Sequence, residues 1–100
     1  MPTYSVYIVE CRDGTFYTGV ATDVERRLRE HESGARGARY LRGRGPLRVV
    51  FKSEVGDRSY AQRAEYRIKR LAREQKQALI DGRLQLATLL LDQEPLAAEA

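Results

Sequence analysis

The sequence predicts an α+β fold in which a three-stranded antiparallel sheet is flanked by helices, in the chain order β-β-α-β-α-α. Two β-rich segments near the N-terminus are separated by a short turn signal, and a third β-rich segment follows later. Between and after these segments, apolar residues recur at the three- and four-residue spacing of amphipathic helices. A chain of 100 residues supports one modest core. We therefore expect one domain over residues 3–82, followed by a leucine-rich and then acidic extension over 83–100.

The first two strands are predicted to form a hairpin, because "YSVYIVEC" and "TFYTGV" are separated only by "RDG". A two-residue turn would place Tyr7 and Tyr17 on opposite faces of the sheet. A three-residue loop over 12–14 instead pairs Tyr7 with Gly19 and places both tyrosines on one face. We predict the three-residue loop, because Gly14 stands where that loop requires a left-handed residue. Gly14 and Gly19 are accordingly assigned structural roles at this turn.

The first helix is predicted within "TDVERRLREHESG", where Thr22 or Asp23 is the N-cap and Gly34 ends the helix. The connection "GARGARYLRGRGP" is rich in glycine and arginine, and we expect a short helical turn around residues 38–41. The third strand is "LRVVFKSEV", which a proline precedes and a glycine follows.

A second helix is predicted over about residues 58–72. The segment "REQKQALIDG" then forms either a further helix or a continuation of the second one, and it ends at Gly82. The leucines over 84–91 either complete the core as a C-terminal helix or form a dimer interface. The sequence alone leaves both alternatives open.

Three polar side chains are predicted on helix faces that should be apolar. Glu65 falls near the middle of the face formed by Ala61, Ala64, Ile68, Leu71 and Ala72. Arg27 and His31 share the stripe of the first helix with Val24 and Leu28. An unpaired buried carboxylate costs several kcal/mol, so Glu65 needs a partner. The structural alternatives are a buried Glu65–Arg27 ion pair, a hydrogen-bonded His31 at the rim of the core, and tyrosines that are ordinary strand residues.

The charge distribution favours nucleic acid as a partner. The formal net charge is +4, and it divides into +6 over residues 1–82 and −2 over 83–100. Fifteen of the 18 basic residues are arginine, the side chain that binds phosphate through a planar fork. A basic domain of this kind indicates a nucleic-acid-binding protein.

Other classes of protein and site fit the sequence poorly. It has no apolar stretch near the roughly 18 to 20 residues that span a bilayer. Glu10 interrupts what would be the apolar segment of a signal peptide. The single Cys11 excludes an internal disulfide, and with one histidine it does not make a zinc site, so we expect a small strand residue. We expect a cytoplasmic protein with no membrane contact.

The residues that stand out match the pattern of a known family. "SVY" at 5–7 and "YTG" at 17–19, followed by Arg27, His31 and Glu65, resemble the GIY-YIG nuclease domain. The resemblance is greatest to the small stand-alone bacterial members of that superfamily.

The similarity covers residues 3–80, which is most of the chain. The first tripeptide lacks its glycine, and the sequence contains no asparagine, although some members of the family use a C-terminal one. There is also no separate DNA-binding domain, which many nucleases of the family carry. The segment "GARYLRGRGP" resembles the basic loop of the stand-alone group.

The resemblance implies catalytic roles for five side chains. Glu65 would ligate a single Mg²⁺ or Mn²⁺ ion, and Arg27 would bind the scissile phosphate. Tyr7 is the candidate base that activates water, with His31 accepting its proton, whereas Tyr17 binds the phosphate or the water, or exchanges roles with Tyr7. Arg27 and the metal are expected to favour the ionised form of the phenol.

The expected function is a metal-dependent nuclease that acts on branched, nicked or single-stranded DNA, as in DNA repair or recombination. RNA is an alternative substrate, and a protein partner or a homodimer is compatible with the sequence. Arg36, Arg39, Arg42 and Arg44 are expected to contact phosphates, or else to form a merely solvated loop. The alternative functions are a nucleic-acid-binding module that retains the fold with little or partner-dependent cleavage, and a protein-interaction adaptor.

Overall fold

The computed structural model describes residues 2–33 and 45–91. The elements in chain order are β1 (Tyr4–Glu10), β2 (Phe16–Ala21), α1 (Val24–Ser33), β3 (Arg48–Gly56), α2 (Arg58–Lys69), α3 (Arg73–Ile80) and α4 (Leu86–Leu91). The predicted α+β class, with a three-stranded antiparallel sheet and flanking helices, is confirmed. The structure adds α4 to the predicted order of elements.

The sheet has the strand order β2-β1-β3, so β1 lies in the centre. Tyr7 pairs with Gly19, as the three-residue loop requires. The backbone N–H of Cys11 donates to the carbonyl of Thr15 at 2.8 Å, which closes the hairpin around that loop. Gly14 has a φ of 86°, the left-handed conformation that glycine adopts without steric cost. The predicted register of the hairpin is therefore confirmed.

Alternate residues of β1 enter two different cores, because neighbouring side chains of a strand lie on opposite faces. The first core contains Val6 and Ile8 together with buried residues of the later helices, namely Ala64, Ile68, Leu79 and Leu90. The second core contains Tyr7 and Val9, and α1 contributes Val24 to it. Helix α1 thus packs on the face that carries the tyrosines, and α2 packs on the other face. Cys11, a buried free thiol, also belongs to the second core.

Carboxylate side chains cap the two helices that carry candidate site residues. Asp23 accepts a hydrogen bond from the backbone N–H of Arg26 at 3.0 Å, so Asp23 rather than Thr22 caps α1. Asp57 accepts from the backbone N–H of Tyr60 at 2.8 Å and caps α2. Each cap satisfies a backbone donor that the first turn of a helix leaves without a partner.

Helix α2 ends at Lys69, three residues before the predicted end, and "REQKQALI" forms a separate helix. The chain is extended at Ala72, which has a ψ of 159°. The side-chain oxygen of Gln75 accepts from the backbone N–H of Ala72 at 3.1 Å and supports the start of α3. The prediction extended α2 too far because the apolar pattern continues across this break.

The leucine-rich segment forms α4, and Leu90 is 9% exposed within the first core. The structure thus has the core-completing helix, one of the two alternatives for this segment. The helical turn expected around 38–41 and the acidic end of the chain lie outside the described residues. Among the described helices, none combines the length and the apolar character that crossing a membrane requires.

Replacing Leu90 by alanine should lower the free energy of unfolding by about 2–3 kcal/mol, because it removes a buried side chain from the core. The matched control is Thr88→Ala, at an exposed position of the same helix, which should change the stability by less than about 0.5 kcal/mol. Urea denaturation followed by circular dichroism measures both variants. Equal stabilities of the two variants would show that α4 does not contribute to the core.

Candidate active site

Three aromatic side chains meet where α1 packs on the sheet. The Tyr7 hydroxyl lies 3.1 Å from Nε2 of His31, and both residues are buried, at 1% and 2% exposure. The ring of Tyr17 approaches His31 edge-on, with 5.7 Å between the centroids and 74° between the planes. Tyr17 is half-buried, so it lies closer to solvent than Tyr7 does.

Gly19 leaves the space that the Tyr7 ring occupies. A Cβ atom built on Gly19 would lie 2.6 Å from the hydroxyl oxygen of Tyr7 and 2.7 Å from its Cζ, which is too close for any side chain. The assignment of Gly19 to the turn was wrong, because it lies within β2 opposite Tyr7. Its physical role is to let the phenol lie across the neighbouring strand.

Arg27 is held in place on α1 by Glu30. A guanidinium nitrogen of Arg27 lies 3.0 Å from Oε1 of Glu30, and the Arg27 side chain is 36% exposed. Glu30 also forms an ion pair with Arg26 at 3.5 Å. Glu30 was not among the predicted site residues, although its three-residue spacing from Arg27 on a helix is the signal that could have identified it.

The phenol of Tyr7 is more difficult to ionise than the sequence analysis expected. The pKa of Tyr7 is raised to about 12, chiefly by burial and next by the charge of Tyr17. Arg27 lowers the pKa through its charge and a hydrogen bond, and the charge of Glu65 raises it. Arg27 therefore acts in the expected direction, but the desolvation of Tyr7 outweighs it.

Burial has the opposite effect on His31. It lowers the pKa of His31 below the usual 6.5, and the charge of Arg27 lowers it further, while Glu30 acts against both. The imidazole is therefore neutral at pH 7. In the tautomer that is protonated at Nδ1, Nε2 accepts a hydrogen bond from the Tyr7 hydroxyl. A neutral imidazole can also take up that proton during a reaction.

Glu65 lies at the edge of its helix face rather than within the core. Its side chain is 23% exposed and forms an ion pair with Lys69, with 3.3 Å between Oε2 and Nζ. The sequence analysis placed Glu65 near the middle of the apolar face and gave Lys69 no role, although a Glu-to-Lys spacing of four residues predicts such a pair. A carboxylate at a partly exposed edge is accessible to a cation and to substrate.

The donor set fits a cation that water and substrate help to coordinate. Across residues 2–33 and 45–91, no group of three or more His, Cys, Asp or Glu side chains is arranged to hold a metal ion. A single carboxylate supplies one hard oxygen ligand, and Mg²⁺ is commonly bound by one or two carboxylates with water and phosphate oxygens. Glu65 therefore suits such an ion.

The predicted phosphate-contacting residues Arg36, Arg39, Arg42 and Arg44 lie outside the described residues. The ends of that connection are described. The backbone N–H of Leu47 donates to the carboxylate of Glu32 at 3.3 Å and joins the C-terminal end of α1 to the start of β3.

Known proteins of one family resemble this chain. Residues 3–78 match the family described as the GIY-YIG catalytic domain. The UPF0213 protein YhbQ of Escherichia coli strain K12 is 48% identical over 90 residues, which cover 90% of this chain and 89% of YhbQ. The UPF0213 protein DP2720 of Desulfotalea psychrophila is 48% identical over 79 residues, or 79% of this chain and 72% of DP2720.

Two solved structures have the same fold. The solution structure of the UPF0213 protein BH0048 from Bacillus halodurans is 47% identical, with a TM-score of 0.52, and the match covers 79% of this chain and 83% of that one. The protein EF2693 from E. faecalis is 37% identical, with a TM-score of 0.58 and coverage of 82% and 86%. The family match spans more than three quarters of the sequence and both of its tyrosine motifs. The chain therefore belongs to the GIY-YIG family and contains its catalytic domain.

Proposed function

We propose that this protein is a metal-dependent endonuclease that hydrolyses phosphodiester bonds in DNA. The observation that supports the proposal best is the buried hydrogen bond between the Tyr7 hydroxyl and Nε2 of His31, within the electrostatic influence of Arg27. Hydrolysis of a phosphodiester requires a route for the proton of the attacking water and positive charge near the phosphoryl oxygens. The Tyr7–His31 pair would supply the route for the proton, and Arg27 would supply the positive charge.

The proton route is a relay rather than a preformed phenolate. With a pKa of about 12, Tyr7 is ionised in roughly one molecule in 10⁵ at pH 7. We infer that the Tyr7 hydroxyl gives its proton to the neutral Nε2 of His31 as its oxygen takes the proton from water. Tyr17 lies nearer to solvent and would hold the water or the phosphate. In the alternative assignment, Tyr17 relays the proton and Tyr7 holds the water or the phosphate.

Arg27 would bind the substrate phosphate directly, and Glu65 would act on it through a bound metal ion. The Arg27 side chain is partly exposed and anchored by Glu30, so its guanidinium is oriented before substrate arrives. Glu65 would hold one Mg²⁺ or Mn²⁺ ion, with water and a phosphate oxygen as further ligands. When bound, such an ion neutralises negative charge on the phosphoryl oxygens and favours ionisation of a coordinated water.

Glu65→Gln and Arg27→Ala should each reduce the rate of DNA cleavage by about 10²- to 10³-fold, because the first removes the charge of the proposed metal ligand and the second removes positive charge beside the phosphate. The measurement is cleavage of labelled single-stranded, duplex and flap DNA in Mg²⁺ or Mn²⁺, together with binding of the same DNA. The control is Gln62→Ala, at an exposed position of α2, which should cleave like the unmodified protein. DNA binding without cleavage by the unmodified protein would favour the binding module instead.

Tyr7→Phe and Tyr17→Phe separate the two assignments of the tyrosines. If Tyr7 relays the proton, Tyr7→Phe should lower kcat, whereas Tyr17→Phe should mainly raise KM, because Tyr17 then contributes to binding. Tyr4→Phe, in the same strand as Tyr7, is the control and should change neither constant. A fall in kcat confined to Tyr17→Phe would support the exchanged roles.

The cleavage rate should depend on pH through His31. Its pKa is lowered from 6.5, so the imidazole is neutral above that value and becomes protonated as the pH falls. A protonated imidazole cannot accept the Tyr7 proton, and kcat/KM should decline on the acid side of about pH 6.5. His31→Gln should be slower throughout and should lack this decline. An unchanged acid limb in His31→Gln would show that another group causes it.

A further inference from the structure

We propose that the outer face of α2 is a stacking surface for unpaired bases of single-stranded DNA. This surface consists of Tyr60, Arg63, Tyr66 and Arg70 and is called here the tyrosine-arginine face. The proposal rests on the nuclease function proposed above and names a substrate class for it, DNA with an unpaired segment beside the bond that is cut.

The two tyrosines of this face are exposed although they are large aromatic residues. Tyr66 is 58% exposed and Tyr60 is 38% exposed. The buried residues of α2 are Ala61, Ala64 and Ile68, which pack on the sheet. At about 100° per residue, Tyr66 projects away from that buried side, whereas Tyr60 lies at its edge. Packing of the described domain therefore does not explain Tyr66, and more than a third of Tyr60 is also left exposed.

Each exposed tyrosine is accompanied by an arginine. The guanidinium carbon of Arg63 lies 5.6 Å from the ring centroid of Tyr60, and that of Arg70 lies 5.4 Å from the centroid of Tyr66. Within such a pair the arginine can contact a phosphate while the ring stacks on a base. Aromatic rings alternating with positive charge are the features by which proteins bind single strands.

The charge of the helix suits a polyanion. From residue 58 to 70 the only acidic residue is Glu65, against the basic residues Arg58, Arg63, Arg67, Lys69 and Arg70. Glu65 directly precedes Tyr66, so the two side chains project about 100° apart around the helix axis. A strand whose phosphate lies at Glu65 can therefore continue over the tyrosine-arginine face. Tyr66 contributes to binding and does not act in the chemistry.

The spacing of the tyrosines also fits stacked bases. Tyr60 and Tyr66 are six residues apart, which corresponds to about 9 Å along a helix axis. Successive bases in a stacked strand are about 3.4 Å apart, so the two rings would contact different bases. A hollow of about 380 Å³ lies beside the first ring and is lined by Val55, Gly56, Asp57, Ser59, Tyr60 and Arg63. It offers space for a base that is turned out of the strand.

Base pairing makes the surface selective. In a duplex the base faces are covered by neighbouring base pairs, and exposing them requires unstacking. A duplex can therefore contact only the arginines of this face, whereas a single strand can contact both the arginines and the rings. We expect Tyr66 to contribute to the binding of single-stranded DNA and not to that of duplex DNA.

The test is equilibrium binding of a fluorescently labelled single strand and of the matching duplex, measured in EDTA so that no hydrolysis occurs. Tyr66→Ala should weaken binding of the single strand about tenfold and leave duplex binding unchanged. Tyr66→Phe retains the ring and should bind within about twofold of the unmodified protein. Gln62→Ala, exposed on the same helix, should bind both DNAs normally.

Cross-linking gives a second readout that does not depend on affinity. A single strand containing 5-iodouracil, irradiated in the complex, should cross-link to Tyr66 or Tyr60, as identified by mass spectrometry of the peptides. Unchanged single-strand affinity of Tyr66→Ala, or an equal loss for single strand and duplex, would overturn the proposal. Binding that depends on Tyr66, by a protein that cleaves nothing in Mg²⁺ or Mn²⁺, would support this surface and refute the proposed nuclease function.

Discussion

The hydrogen bond between Tyr7 and His31 joins the central strand to α1, and the arrangement of the candidate site depends on it. The bond forms only because residue 19 has no side chain, since a Cβ atom there would lie 2.6 Å from the Tyr7 hydroxyl oxygen. The third position of the "YTG" motif thus has a steric function. The absence of a side chain at Gly19 allows the Tyr7 phenol to lie across β2 and reach His31 on α1.

Burial then determines the protonation states of this pair. The same desolvation that raises the pKa of Tyr7 lowers that of His31, so both groups are neutral at pH 7. Transfer of the Tyr7 proton to His31 alone would create a phenolate and an imidazolium in the apolar interior, so the phenol oxygen must take a proton from water in the same step. The charge of Arg27 lowers the pKa of both groups, so it stabilises negative charge on the Tyr7 oxygen and disfavours the protonated form of His31. The pair is therefore suited to a relay that begins when a water molecule is presented to it.

Helix α2 presents three different surfaces around its circumference. Its alanines and Ile68 pack on the sheet, Glu65 lies at the edge of that contact beside Lys69, and the tyrosine-arginine face is directed outwards. A rigid helix holds these groups at fixed angles to each other. Under the proposed function, this helix would link chemistry at Glu65 to binding on its outer face.

The sequence by itself determined the features that depend on local geometry. The loop through Gly14 set the hairpin register and the common face of Tyr7 and Tyr17, because a left-handed residue is required at one position only. The helical spacing of Arg27 and His31 likewise placed both on the side of α1 that meets the sheet. These features follow from the backbone conformations of neighbouring residues and need no knowledge of distant contacts.

The tertiary structure alone decided features that depend on what surrounds each group. It showed that burial outweighs Arg27 at Tyr7, that Glu65 lies at an exposed edge with Lys69, and that α4 completes the core through Leu90. Desolvation and core packing depend on residues from several helices and strands. The periodic pattern of a single helix carries no information about those residues. The exposure of Tyr66, in contrast, follows from the helical pattern, since Tyr66 lies opposite the predicted apolar face of α2.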